Sequence, residues 1–117
     1  MNMKILLPLS VLATLAFGSA FADCAAPDNT VQIPDGTTAT REEMIAAQKA
    51  VQGYDAAVKT FTDCLQQEQQ QKVEAGGDKA KLQKQYAELN NAWVEKVQQL
   101  ADKFNAELKA YKAKAAG

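Results

Sequence analysis

The side chains best suited to covalent chemistry in this sequence are two cysteines, Cys24 and Cys64. There is no histidine anywhere in the chain. A cysteine nucleophile therefore has no imidazole to take its proton, and a Ser/His/Asp triad cannot be assembled. Thirty-nine residues lie between the two cysteines, so they are not a C-x-x-C redox motif. Without histidines or a cysteine cluster, a zinc site of the usual ligand types has no donors, and no metal or cofactor is expected. Carboxylates do occur together, as at Glu42–Glu43. Neighbours in a helix point away from each other, and Glu43 has a capping role that accounts for it. The glycines of "AGGDKAK" (75–81) lack the spacing and the preceding strand of a phosphate-binding loop. The side chains point to a non-enzymatic protein with no catalytic residues.

What the cysteines do depends on what precedes them. "MNMK" carries one positive charge, Lys4, and leads into the apolar run "ILLPLSVLATLAF" (5–17). "GSAFA" follows, with Ala20 and Ala22 placed as an A-x-A cleavage site. This is the pattern of a secretory signal peptide over residues 1–22, and the apolar run is shorter than the about 20 residues a bilayer span needs. Asp23 and Phe21 stand at the −1 and −3 positions relative to Cys24. A lipid-anchored cysteine wants a small residue and a leucine there, so lipidation is not expected. Export leads to an oxidising compartment, most simply the periplasm and otherwise the medium. Two cysteines there pair with each other, so a Cys24–Cys64 disulfide is expected. Closing a loop of that length stabilises by about 4 kcal/mol under the chain-entropy model.

Charge narrows the partners. Removal of the leader takes Lys4 and leaves twelve basic against fourteen acidic side chains. No basic patch of nucleic-acid type stands out. Lys109, Lys112 and Lys114 lie near the end of a predicted helix, where cations complement the helix dipole, so membrane-surface contact is not the expected role of these lysines.

These residues must be held by three segments. Residues 23–39 contain Pro27, Pro34 and the turn signal "PDG", with little periodicity, and read as an extended arm. "TREE" (40–43) fits a capping box with Thr40 as N-cap and Glu43 at N3. Strong helix formers continue from there to "EAGGD" (74–78), where paired glycines stop one helix and Asp78 caps the next. Helices are predicted over about 41–74 and 79–114, giving an all-α antiparallel two-helix hairpin across 40–117.

The apolar patterns of the two helices differ. In the first, Met44, Val51, Val58 and Leu65 alternate with Ala47, Tyr54 and Phe61 on a heptad, as in a coiled coil. The next seam position is Glu68, and "QQEQQQK" (66–72) is polar throughout and reads as a solvated helix end. In the second, Leu82, Tyr86, Leu89, Trp93, Val97, Leu100, Phe104, Leu108 and Tyr111 follow an eleven-residue repeat, which suits a nearly straight helix. The two seams drift apart, so a third element should fill the divergence. The arm is suited to that place. Ala50, Ala57 and Cys64 form a row of small residues on one flank of the first helix, and Gln48, Asp55 and Thr62 form a polar row on the other. The sixteen steps from Cys24 to Thr40 extend to about 53 Å, against about 36 Å of helix from Thr40 to Cys64. The arm can therefore turn at "PDG", run back along the first helix with Val31 and Ile33 as apolar contacts, and be pinned by Cys24–Cys64. Gly53 falls on the polar face at a cost of about 1 kcal/mol relative to alanine, and the pattern supplies no reason for it.

The layout of Cys24, "IPDG" (33–36), Glu43, Met44 and "CL" at Cys64–Leu65 resembles a group of small uncharacterised secreted proteins of Gram-negative bacteria. The resemblance spans about the first half of the chain beyond the leader. It implies export and the crosslink, and it implies no activity. The expected role is that of an exported structural or protein-interaction protein of the cell envelope; a periplasmic chaperone-like module gripping apolar segments is the alternative. The polar end of the first helix lies opposite Leu82 and Tyr86 in an antiparallel hairpin. That end is expected to be under-covered and to contact an envelope protein or a second copy in a weak homodimer.

Overall fold

The computed structural model describes residues 24–27 and 31–117. The expected leader, residues 1–22, lies outside the described residues. Two helices, α1 (Arg41–Glu74) and α2 (Lys79–Ala116), pack against each other as an antiparallel hairpin, with the arm bonded to α1 through Cys24–Cys64.

Local chemistry sets the helix ends. The Thr40 hydroxyl accepts from the Glu43 N–H at 3.1 Å, while the Glu43 carboxylate accepts from the Thr40 N–H at 2.9 Å. Each group satisfies a donor that the helix itself cannot. At the far end of α1 the chain makes a full Schellman turn. Gly77 N–H reaches back to the Lys72 carbonyl and Gly76 N–H to that of Val73, with Gly76 at φ +97°, where glycine is the favoured residue. The Asp78 side chain then caps α2 by accepting from the Lys81 N–H at 3.1 Å. The sequence places the end of α2 near 114, but the helix runs on to Ala116. Alanines 113, 115 and 116 favour helix, and nothing interrupts it before Gly117.

The core is distributed unevenly. Six α1 side chains are buried: Met44, Ala47, Tyr54, Val58, Phe61 and Leu65. In α2 only Phe104 is. The reason is position. α1 is covered by α2 on one side and by the arm on the next, whereas α2 has α1 alone along most of its length. At the arm end Ala39, Met44, Ala47 and Phe104 cluster, with Ile33, Val51, Leu108 and Tyr111 packed around them. Midway, the rings of Phe61 and Trp93 meet edge to face with centroids 5.1 Å apart. Among the described residues no side chain is fully enclosed, as expected where two helices and a strap must make a core without a second layer.

Candidate functional site

The arm is held at both ends. Cys24 and Cys64 are bonded, with their Cα atoms 5.6 Å apart. At the other end the "PDG" segment forms a tight turn. Asp35 accepts at its side-chain oxygen from the Thr37 N–H (2.9 Å) and hydroxyl (2.7 Å), and at its carbonyl from the Ala39 N–H (2.8 Å). The Thr37 bonds, with a contribution from the charge of Lys114, hold the Asp35 carboxyl below its ordinary value of 3.8. The turn docks on α2: the buried Gly36 donates its N–H to the Glu107 carboxylate at 2.7 Å. A side chain at Gly36 would overlap the Glu107 carbonyl and crowd the Tyr111 N–H, so glycine is required here by proximity.

Between these anchors the arm and α1 border an open groove of about 1050 Å³. Val31 and Ile33 form its arm side, and Ala46, Ala50, Gly53 and Tyr54 its helix side. Of the row of small residues, Ala50 thus lines the groove beside the arm and Cys64 is bonded to it. Gly53 stands at this groove, and a Cβ added there would meet nothing within 4 Å.

Leu82 and Tyr86, the expected partner-contact residues, are half-buried. α1 supplies cover of a kind the apolar pattern does not register. The Tyr86 hydroxyl donates to Glu68 at 2.8 Å, and the Lys72 ammonium lies 5.3 Å from the centre of its ring. The Tyr86 oxygen is the chief influence raising Lys72 above its ordinary 10.5; desolvation opposes it, and the Glu68 charge adds to it. The segment 66–72 is therefore only partly a solvated helix end, since Glu68, Gln69 and Lys72 are half-buried. Long polar side chains continue the seam where the apolar heptad stops.

Apolar surface is open next to this pair, at Leu89, as well as away from it. Among the described residues, Leu89 and Val94 on α2 and Ile45 on α1 are the exposed large hydrophobic ones, Val94 most of all at 54%. Lys96 lies over Trp93, with its ammonium 4.2 Å from the ring centre. Lys109, Lys112 and Lys114 are exposed near the end of α2, and among the described residues no helix is long and apolar enough to cross a membrane. Sequence reasoning missed Glu107 as the anchor of the arm. Its one signal is its place between Phe104 and Tyr111, on the border of the apolar stripe. No family model matches the chain, and neither a curated protein nor a solved structure does.

Proposed function

We infer that this is an exported structural or protein-interaction protein of the cell envelope that works without catalysis. The observation that carries this reading is the clamped arm. A Cys24–Cys64 bond that fastens a strap to a helix fits a chain folding in an oxidising compartment, and the leader sequence supplies the route there. The half-covered stripe of α2 fits a role in contact with another protein surface, an envelope protein or a second copy. Thiol trapping during cell fractionation tests the reading. Protein recovered in the periplasmic or secreted fraction, with both cysteines protected from alkylation until reduced, supports it. Cytoplasmic protein with two free thiols would overturn it.

A chaperone-like role gripping clients between the helix ends draws less support. The Gly76–Gly77 turn closes one end, and Glu68 and Lys72 occupy Tyr86 there. Suppression of aggregation of an unfolded client by substoichiometric protein would favour the chaperone reading.

A further inference from the structure

Beside its apolar stripe α2 carries a second row, exposed at five of its seven positions: Gln83, Ala87, Asn90, Val94, Gln98, Ala101 and Asn105. The steps are 4, 3, 4, 4, 3, 4, so the row runs straight along one flank for about 33 Å. It holds no charge. Lys84, Glu88, Glu95, Lys96, Asp102 and Lys103 all fall on the rest of the helix circumference. Depletion of charge is one compositional feature of an interface core. Val94, the most exposed of the large hydrophobic residues described, stands at the midpoint of the row. The flank is also free of the arm. Glu107, which holds the arm's turn, lies about 140° away round the helix. The adjoining α1 surface, Thr62, Gln66 and Gln69, is likewise uncharged.

The row is a palindrome in chemistry as well as in spacing. Reversed about Val94, Gln83 falls opposite Asn105, Ala87 opposite Ala101, Asn90 opposite Gln98, and Val94 opposite itself. An antiparallel pairing of two copies about a two-fold axis through Val94 sets each position against its mirror position, so amide meets amide and alanine meets alanine along the row. One pair of bordering charges is complementary across the axis. In that register Lys84 of one copy lies within two residues of Asp102 of the other, and the symmetric pair repeats at the far end. Both side chains are exposed and neither forms an ion pair among the described residues; Asp102 accepts from the Gln98 amide at 2.9 Å.

We propose that the protein forms a two-fold dimer by antiparallel packing of α2 on α2, centred on Val94. The inference stands on α2 alone and does not depend on the compartment in which the protein works. The small residues Ala87 and Ala101 let the two helices approach. The amides Gln83, Asn90, Gln98 and Asn105 have donors and acceptors to share across the axis. The two α1 helices then stand side by side, and the four helices form a bundle that encloses Asn90 and Ala101, which are half-buried in the single hairpin. One helix pair of this length is at the small end of specific interfaces, which points to a reversible dimer.

Sedimentation equilibrium on the oxidised protein, purified after export with its own leader, across the micromolar range tests this. A monomer–dimer equilibrium is expected. Val94→Lys places two lysines on the axis and should raise the dissociation constant at least about tenfold. It should leave the helical circular dichroism of the monomer unchanged, because Val94 is already largely exposed. Lys84→Asp should weaken the dimer, and adding Asp102→Lys should restore it. With Cys24 and Cys64 bonded, Val94→Cys provides the one free thiol, and a short bismaleimide should join two chains through it but not through Glu88→Cys on the charged face. A monomer mass at every concentration, a dimer indifferent to Val94→Lys, or no rescue by the charge swap would each overturn the proposal. So would a chain that stays monomeric and uses this row to bind a different protein.

Discussion

Gly53 is a glycine in the middle of a 34-residue helix, and its missing side chain would meet nothing. Glycine there restrains the unfolded chain less than alanine does, and it gives back no turn, no close approach and no unusual dihedral angle. Gly53→Ala should therefore stabilise the protein by about 0.5–1 kcal/mol, read as a higher urea midpoint with an unchanged slope. Gly36 is the opposite case. Gly36→Ala would force the turn away from α2, break the bond to Glu107, and cost about 1–3 kcal/mol. Amide exchange should rise over residues 31–39 and little elsewhere, which separates an undocked arm from a general loss of fold. "PDG" is legible as a turn because turn chemistry is local. The reason its glycine cannot be replaced is not legible, because it depends on Glu107, 71 positions away.

At the scale of elements, what the sequence shows best are the ends of helices. Thr40–Glu43, Gly76–Gly77 and Asp78 each satisfy backbone groups within a few residues, so their types announce their roles. The arm's path is legible for a different reason. Reach, a row of small residues and a paired cysteine leave few routes along α1. The cover over Tyr86 escapes such reasoning, because a heptad count registers a polar residue at a seam position as the end of the seam. Glu68 and Lys72 reach across by length, which periodicity does not encode. The division between strap and hairpin has a measurable consequence. Reduction of Cys24–Cys64 should free the arm's first residues and lower stability, by up to about 4 kcal/mol. Helical circular dichroism below the unfolding transition should persist, because both helices keep their caps. Loss of most helical signal on reduction alone would show that the arm and hairpin fold as one unit.

For the molecule as a whole, the decisive feature is that its helices are not equivalent. α1 lies between two neighbours and buries six side chains, while α2 has one neighbour along most of its length and buries one. The apolar pattern alone points the other way, since α2 carries the longer stripe. Burial follows from which helix is central, and that depends on the arm. Stability should track position and not stripe length. Phe61, 7% exposed and stacked edge-on against Trp93, loses a buried ring on truncation, so Phe61→Ala should cost about 3–5 kcal/mol. Leu100 belongs to the stripe of α2 but is only half-buried. Its cavity would open to solvent, and Leu100→Ala should cost clearly less, about 1–2 kcal/mol. Small domains have about 5–15 kcal/mol in all, so the first substitution removes a large share of the total and the second does not. Urea denaturation of both variants, at a concentration low enough to keep the chain monomeric, decides the matter. Equal losses would mean that α2 is as enclosed in solution as α1, and that a cover is present which the single hairpin lacks.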